Sequence, residues 1–328
     1  MNERRLDPTT DEWRMFATGR QDRTFLPPAD QCSLCPTRDP AFPTEIPESG
    51  YDVVVFDNKF PSLLAAPPPP ATVAREPYGV TPSAGATEVV VYSDDHGLAF
   101  ADLGIDRITH LIDVWGDRYA VLGARDEVAY VFIFENRGEA IGVTLHHPHG
   151  QIYGYPEIPP RPRRELETAA AHMAATGSCV FCDVGARERA DGVRLVAQNR
   201  SFLAFVPFAA RFPYEVHVMA HRHAPSLLDL TDPERRALAE LLRTVVRGYD
   251  ALFGFPLAYV MSMHQAPTND GEWQPISHFH IEFTPFHRTA TKLKYLAGSE
   301  LGAGGFINDT APEETAAELR LAVARSSG

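Results

Sequence analysis

One order of landmarks occurs twice along this chain of 328 residues. Each copy opens with a Cys-x-x-Cys pair, runs through two strand-like segments to a histidine, continues as a long amphipathic helix and ends in two strand-like segments with a His-x-His pair. The cysteine pairs are Cys32-Ser33-Leu34-Cys35 and Cys179-Val180-Phe181-Cys182. A repeated order of this length indicates a duplicated unit, so each half should build the same local architecture.

The long helix of each half is predicted at about residues 105–122 and 232–252, where apolar side chains recur on one face. Short connections between the strand-like segments favour antiparallel pairing, and one long helix per half argues against repeated parallel crossovers. We therefore predict an α+β fold built from a duplicated unit, with antiparallel sheets that are each covered by a long helix. Residues 1–163 are the N-terminal half in this interpretation, and residues 164–328 are the C-terminal half.

Two stretches are expected to lack regular structure. Residues 1–31 show no clear periodicity of apolar side chains. Residues 61–87 are rich in proline, alanine and glycine and include Pro67–Pro70, which is typical of a long loop with polyproline character.

A histidine-rich segment follows a strand that we predict at residues 139–147. Residues two apart in an extended chain point to the same face, so His147, His149 and Gln151 can form a row. Gly150 has no side chain, and we expect this to let a ligand approach the backbone beside the row. A neutral imidazole is a good nucleophile at neutral pH because one ring nitrogen is free without any base.

Composition and charge narrow the class of protein. The formal net charge is −13 and the pI is about 5.4, which argues against general binding to nucleic acid or to an anionic membrane. No apolar run reaches the length of a membrane span, and the polar N-terminal residues do not form a signal peptide, so we expect a cytoplasmic protein. In a reducing compartment, the two cysteine pairs suggest metal or redox chemistry rather than structural disulfides.

The string His-Pro-His-Gly-Gln, at residues 147–151, resembles the active-site signature of galactose-1-phosphate uridylyltransferases in the histidine-triad superfamily. The resemblance implies that His149 is the nucleophile and His147 a zinc ligand, and that Gln151 stands where the superfamily's hydrolases carry a third histidine. It implies a transfer of UMP between UDP-glucose and galactose 1-phosphate through a uridylyl-histidine. Two alternatives remain. One is an ADP-glucose phosphorylase or adenylyltransferase, and the other is a catalytically silent nucleotide-binding protein whose fold zinc stabilises.

Metal ligands are predicted in both halves. Structural zinc prefers four cysteine or histidine ligands in a tetrahedron, and the resemblance matches the first site to Cys32, Cys35, His96 and His147. The equivalent set in the second half is Cys179, Cys182, His223 and His278. A rival set, which the resemblance offers and which would make iron an alternative metal, is Glu165, His264, His278 and His280. We favour the cysteine set because thiolate is the stronger type of zinc ligand, and we expect one or two zinc ions per chain.

Substrate contacts follow from the resemblance alone. The matching positions for nucleotide and sugar are Arg20, Arg23, Asn58, Asn136, Gly142, Thr144, Gln151, Lys294, Tyr295, Ala297 and Glu300. The two arginines match a pair that reaches phosphate across a subunit interface, so the resemblance implies a homodimer with shared active sites.

The chain departs from the family pattern at three positions near the expected substrate. Lys59 stands where an acidic residue near the ribose is usual, Ser299 replaces a tyrosine on the sugar side, and Phe306 replaces a glutamine, with Asn308 close by. These departures leave the acceptor sugar and the base open, whereas the proposed nucleophile is unaffected.

Overall fold

The computed structural model describes residues 1–22 and 27–326. Its centre is a nine-stranded sheet in which every neighbouring pair of strands is antiparallel. The strands, in chain order, are β1 (Asn2–Asp7), β2 (Glu12–Ala17), β3 (Val54–Asp57), β4 (Val80–Pro82), β5 (Ala86–Val91), β6 (Tyr130–Arg137), β7 (His149–Tyr155), β8 (Leu195–Gln198), β9 (Phe202–Phe205), β10 (Val216–Ala220), β11 (Tyr259–His264), β12 (His280–Pro285), β13 (His287–Thr289) and β14 (Lys292–Leu293). The α-helices are α1 (Ile105–Gly123), α2 (Pro160–Thr176), α3 (Val180–Asp191), α4 (Asp232–Phe253) and α5 (Pro312–Ser326).

Eight of the nine strands in the large sheet form two equivalent sets of four, and β8 is an additional strand at one edge. From one edge to the other it reads β3-β5-β7-β6-β11-β12-β10-β9-β8. The centre lies between β6 and β11, where Phe134 is opposite Ser262, and the register on either side matches β7 with β12, β5 with β10 and β3 with β9. The predicted fold class is therefore confirmed, and the two sheets we expected are joined edge to edge as one. The division at residue 163 stays a prediction.

Helices α1 and α4 lie on one face of this sheet and form the main core with it. Helix α1 buries Leu111 and Trp115 completely, and α4 buries Leu242 and Tyr249 completely. Complete burial of a large apolar side chain stabilises the folded state by roughly 1.5–3 kcal/mol, so these two stripes of apolar residues fix the helices on the sheet. Helices α2 and α3 cover part of the opposite face in the C-terminal half, and α5 packs on α4 and β8.

Helix α4 begins and ends where its sequence signals place it. The Glu234 carboxylate accepts hydrogen bonds from the backbone N–H and the hydroxyl of Thr231, each 2.8 Å long, which satisfies a donor at the helix start. Gly254 ends the helix with a φ of 77°, in the left-handed region that favours glycine. The predicted range 232–252 is therefore confirmed to within one residue.

The expectation of an irregular N-terminus is wrong. Strands β1 and β2 form a hairpin, and β4 pairs with β1 to complete a three-stranded sheet. The buried carboxylate of Glu3 accepts hydrogen bonds from the backbone N–H of Ala71 at 2.9 Å and from the hydroxyl of Thr72 at 2.6 Å. The charged side chain of Glu3 thus lies at a buried position, where an apolar residue is more usual. Burial is possible because residues about 70 positions along the chain supply its hydrogen-bond donors.

The predicted strand at residues 139–147 is also wrong. Strand β6 ends in a turn at Gly138, a short 3-10 helix spans Glu139–Ile141, and β7 begins only at His149. Gly138 and Gly142 have φ values of 93° and 78°, which are unfavourable for other residues. These two glycines interrupt the apolar run, so the run forms a loop beside the sheet.

Five further elements were absent from the sequence interpretation. Helices α3 and α5 and strands β8, β13 and β14 were not predicted. The loop expected at residues 61–87 ends early because β4 and the start of β5 lie within it. Within the described ranges, no helix combines the length and apolar character needed to cross a membrane.

Candidate active site

The histidine-rich segment places two side chains on the face of the sheet opposite α1. Strand β7 begins at His149, and Ile152 packs in the core beneath α1. Because residues alternate along a strand, His149 and Gln151 point to the other face. His147 precedes the strand and lies in the turn, so the row of three side chains expected from a continuous strand is reduced to two.

Gly150 does not serve the approach of a ligand as we expected. It points to the same side of the sheet as α1, and a Cβ atom built on it would lie 2.2 Å from the hydroxyl oxygen of Tyr92 and 3.0 Å from the carbonyl oxygen of Phe134. The space that a side chain would need is occupied by Tyr92. Glycine is therefore required here for packing behind the strand.

The imidazole of His149 is held in one tautomer. Its Nδ1 donates a hydrogen bond of 2.8 Å to the carbonyl oxygen of His147, so the lone pair is on Nε2. Burial of the ring lowers the pKa of His149 below its ordinary value of 6.5, although the backbone hydrogen bond opposes this shift. The arrangement therefore favours a neutral imidazole with a free Nε2.

Amide side chains and a cavity lie beside this imidazole. Asn58 Nδ2 donates to Gln151 Oε1 at 3.4 Å, which leaves the amide nitrogen of Gln151 for another partner. A cavity of about 310 Å³ is lined by His149 and Asn136 and by the turn at Gly138. The structure thus brings together three of the polar positions matched by resemblance.

The other substrate positions that the resemblance matched in the N-terminal half lie outside this group of side chains. Gly142 is exposed in the loop between β6 and β7, and Thr144 is half-buried in the same loop. Arg20 Nη1 donates to the Tyr153 hydroxyl at 3.2 Å, so Arg20 reaches strand β7 within its own chain. Arg23 lies outside the described residues.

The segment expected to contact the hexose is organised around an internal ion pair. Lys294 Nζ donates to Glu300 Oε1 at 3.0 Å and to the carbonyl oxygen of Ile307, and both charged side chains are buried. Tyr295 and Ala297 are exposed. Among the residues that the structure describes, no hydrogen bond or ion pair joins this segment to the histidine motif.

The positions that depart from the family pattern have structural partners. Lys59 forms an exposed ion pair with Glu45, with 2.7 Å between the charged atoms. Ser299 donates its hydroxyl to the carbonyl oxygen of Gly305, and Asn308 Nδ2 donates to the carbonyl oxygen of Ala210. Phe306 packs against the guanidinium of Arg211 and the ring of Phe212.

The first set of predicted metal ligands is gathered at one point. The Sγ of Cys35 lies 3.6 Å from Nδ1 of both His96 and His147, and the Sγ of Cys32 lies 3.9 Å from Nδ1 of His147. Tetrahedral zinc, with its usual bond lengths, separates sulfur and nitrogen ligands by about 3.6 Å. Burial, with a contribution from Cys32, raises the pKa of Cys35 to about 11, so two neighbouring thiolates need a cation to stabilise them. These residues therefore fit a zinc ion.

The second cysteine set repeats this geometry. The Sγ of Cys182 lies 3.7 Å from Nδ1 of His223 and 3.5 Å from Nδ1 of His278, and the Sγ of Cys179 lies 3.9 Å from Nδ1 of His278. The four ligand atoms all lie within 4.8 Å of one another. His278 Nδ1 is therefore directed at the cysteines.

The remaining members of the rival set form a separate group with a residue that sequence reasoning missed. Glu165, His264 and His280 gather with Glu282, whose carboxylate takes the place that His278 was expected to fill. His264 Nδ1 lies 2.7 Å from Glu165 Oε2. The internal repeat could have revealed Glu282, because it occupies the position in β12 that Gln151 occupies in β7.

Comparison with known proteins identifies relatives along nearly the whole chain. Residues 1–159 match the family model for the N-terminal domain of galactose-1-phosphate uridyl transferase, and residues 165–326 match the model for its C-terminal domain. A galactose-1-phosphate uridylyltransferase from Thermotoga maritima is 39% identical over 320 residues, which are 98% of each chain. The same enzyme from Streptomyces lividans is 37% identical over 88% of this chain and 78% of its own.

Solved structures give the same result. A uridylyltransferase structure with 36% sequence identity superposes with a TM-score of 0.87 and covers 98% of this chain and 99% of its own. An ADP-glucose phosphorylase from Arabidopsis thaliana, at 21% identity and a TM-score of 0.72 over 98% of both chains, shares the fold. Because the family models and the relatives span nearly the whole sequence, this chain belongs to the galactose-1-phosphate uridylyltransferase family.

Proposed function

We propose that this chain transfers UMP between UDP-glucose and galactose 1-phosphate and that His149 Nε2 is the nucleophile. The observation that carries the proposal is the hydrogen bond from His149 Nδ1 to the carbonyl oxygen of His147, because it fixes the tautomer whose Nε2 lone pair is free. The depressed pKa of His149 keeps this nitrogen unprotonated near neutral pH.

The reaction consists of two displacements at one phosphorus atom. In the first, the Nε2 lone pair attacks the α-phosphorus of UDP-glucose, the bond to the bridging oxygen breaks, and glucose 1-phosphate leaves with the electron pair. In the second, a phosphate oxygen of galactose 1-phosphate attacks the same phosphorus and the P–N bond breaks, which regenerates His149. Both leaving groups are stable without an added proton, so the strand needs no acid where Gln151 stands.

Neighbouring amides orient the phosphate. The hydrogen bond from Asn58 occupies the oxygen of Gln151, so its amide nitrogen is the group that donates to a non-bridging phosphoryl oxygen. Asn136 lines the cavity beside the nucleophile and contacts the substrate there. Correct orientation of the reacting groups can contribute roughly 7–11 kcal/mol to a displacement of this kind.

Zinc is the metal proposed for both cysteine groups, where its chemistry is structural. In the first group His147 links the ligand set to the nucleophile, since its Nδ1 faces the cysteines while its carbonyl oxygen accepts a hydrogen bond from His149 Nδ1. Elemental analysis should find about two zinc ions per chain. Cys32→Ser and Cys179→Ser should each remove one ion and lower the melting temperature, whereas iron retained by both variants would place a metal at the Glu165 group.

A homodimer with shared active sites is proposed because the segment around Tyr295 exposes apolar side chains. Tyr295 is 75% exposed and Leu301 74%, next to the buried pair of Lys294 and Glu300. A His149→Ala chain mixed with a Tyr295→Ala chain should recover activity, because one site of the mixed dimer has both intact parts. A monomer with full activity by light scattering would contradict the shared site. A cytoplasmic location is proposed from the free cysteines.

Mass spectrometry of the full chain after incubation with UDP-glucose alone tests the central proposal. We expect a UMP adduct on His149 and release of about one glucose 1-phosphate per chain, because the first displacement needs no acceptor. A parallel incubation with ADP-glucose distinguishes the phosphorylase or adenylyltransferase alternative. Absence of any adduct, together with intersecting double-reciprocal lines, would mean direct transfer in a ternary complex.

A further inference from the structure

A second cavity lies in the C-terminal half, between helices α2 and α3 and the open face of β9 and β10. Its volume is about 870 Å³, within the range that small-molecule sites occupy. Phe205 and Met219 contribute its floor from the sheet, and Phe181 and Val184 contribute one wall from α3. Phe208 lines it with a side chain that is 75% exposed, although its ring is large and apolar.

The internal symmetry of the sheet relates this cavity to the nucleotide side of the first half. In the first half, Gln151 pairs with Val89 on the neighbouring strand, and Val89 pairs in turn with Phe56. In the second half, Glu282 pairs with His217, and His217 pairs in turn with Phe205. Asn58, proposed above to lie at the nucleotide site, follows Phe56 by two residues, as Pro207 follows Phe205. The cavity therefore occupies the place in the second half where the first half receives a nucleoside, an equivalence that rests on the proposed function.

The charges around the cavity are paired with one another. Arg194 lies 2.9 Å from the Glu188 carboxylate, and Asp183 lies 2.8 Å from His172. Arg187 lies 3.6 Å from Asp191 on the same helix. The rim is therefore close to electrically neutral. At the inner end, the carboxylate of Glu165 would repel a phosphate.

Aromatic groups supply the surface for stacking. The guanidinium carbon of Arg194 lies 5.0 Å from the centre of the Phe208 ring, which restrains that exposed ring at the mouth. Aromatic side chains bind nucleobases of every type through their faces. We propose that this cavity is a second, non-catalytic site that binds an uncharged nucleoside, with its base stacked on Phe208.

Photocrosslinking of the full chain with 4-thiouridine tests this site directly. The experiment includes saturating UDP-glucose to occupy the first half, and tryptic peptides are mapped by mass spectrometry. We expect crosslinks in peptides that contain Phe181 or Phe208, competed by uridine and less effectively by UMP. Phe208→Ala should weaken binding of 4-thiouridine about tenfold, since stacking supplies much of the affinity.

Two further variants keep the test independent of folding. Val184→Trp fills the cavity from a half-exposed helix position and should abolish the C-terminal crosslink, whereas Phe42→Ala removes an equally exposed ring outside the cavity and should leave it unchanged. Crosslinks confined to the N-terminal half, or competition by UMP as strong as that by uridine, would overturn the second site. Failure of the proposed transfer would instead show as the absence of UMP on His149, with the C-terminal crosslink retained.

Discussion

Strands β7 and β12 occupy equivalent positions in the two halves, but the side chains around their histidines differ. In β7, His149 Nδ1 donates to the carbonyl oxygen two residues before it at 2.8 Å, and in β12 His280 does the same at 2.8 Å. Burial lowers the pKa of both imidazoles, that of His280 to about 4. Each half therefore holds a neutral imidazole in the same tautomer, so neither the tautomer nor the protonation state explains why one half would react and the other would not.

The charges in front of the two imidazoles differ. Gln151 and Asn136 are neutral, whereas their counterparts in the second half are Glu282 and His264. The Nε2 of His280 lies 3.9 Å from a carboxylate oxygen of Glu282 and 4.0 Å from one of Glu165. At an effective dielectric constant of 20, each carboxylate would repel a phosphate charge at about 4 Å by roughly 4 kcal/mol.

The carboxylate of Glu282 is strongly held. Arg161 and Arg211 both donate to it, and His217 Nε2 lies 3.2 Å away. Burial by itself would raise the pKa of Glu282, but its interactions with His217, His264 and Arg161 lower this pKa well below its ordinary value, so the carboxylate stays ionised. Both halves therefore hold the same imidazole arrangement, and they differ in charge at the strand position that is Gln151 in one half and Glu282 in the other.

The largest difference between the two halves should appear when each imidazole is removed in turn. His149→Ala deletes the proposed nucleophile and should lower the rate of transfer by a factor on the order of 10⁴ or more. His280→Ala deletes its structural equivalent and should leave the UMP adduct at wild-type stoichiometry. Stopped-flow kinetics measures the rate of transfer in each variant, and mass spectrometry measures the amount of UMP adduct. Equal losses in two variants of equal melting temperature would show that the two halves are functionally alike.

A smaller effect is expected from exchanging the charge at the deciding strand position. Gln151→Glu places a carboxylate beside the phosphate, as Glu282 does in the second half, and should reduce kcat by a factor on the order of 10²–10³. Gln151→Ala removes the hydrogen bond without adding charge and should lose less. The matched control, Glu282→Gln, should preserve kcat while lowering stability, because it leaves two arginines without their carboxylate. A Gln151→Glu enzyme with wild-type kcat would contradict the electrostatic explanation.

Sequence periodicity predicted the elements whose contacts are local. The two long helices were found because their apolar stripes are continuous. The first cysteine group was found through the family resemblance, and the second because the landmark order repeats. The strand predicted at residues 139–147 was wrong because of Gly138 and Gly142. The apolar residues around these glycines are typical of a strand, but the positive φ values of both glycines form a turn. Turn chemistry outweighed hydrophobicity there.

The remaining features depend on partners far along the chain. The join between the halves pairs Phe134 with Ser262, more than a hundred residues apart, and no local pattern distinguishes an edge strand from a central one at that point. The buried carboxylate of Glu3 has the same character, because it is acceptable only when the amides of Ala71 and Thr72 meet it. Glu282 was predictable in principle, by aligning the two copies strand by strand.

The two halves also differ at the residue that follows each histidine on its strand. Gly150 is matched in the second half by Ile281, which is completely buried, whereas a Cβ on Gly150 would meet the Tyr92 hydroxyl at 2.2 Å. Gly150→Ala should therefore destabilise the fold by about 3 kcal/mol, as overpacking does. Tyr92→Phe removes the clashing oxygen, so the double variant should recover part of the loss in urea unfolding. Additive effects of the two changes would show that the Tyr92 oxygen is not the obstacle.

The smallest expected effect lies on the helix side of the central strands. Glu135 is buried at the position that Met263 fills in the second half, and its carboxylate accepts a hydrogen bond of 3.1 Å from the Tyr259 hydroxyl. Burial raises the pKa of Glu135 from 4.5 to about 7, although Arg137 opposes the shift. The first half therefore contains a titratable group in its core where the second half has an apolar side chain.

This difference predicts a pH dependence of stability that belongs to Glu135. Because the folded pKa lies above the unfolded value, the folded state binds an extra proton between pH 4.5 and 7. The free energy of unfolding should thus fall as pH rises through that window and stay level above it. Glu135→Gln keeps an acceptor for Tyr259 but cannot titrate, so the fall should vanish from its urea unfolding at pH 5, 6, 7 and 8. Parallel curves for the wild type and this variant would mean that Glu135 is ionised throughout, and that Arg137 stabilises its charge more than burial disfavours it.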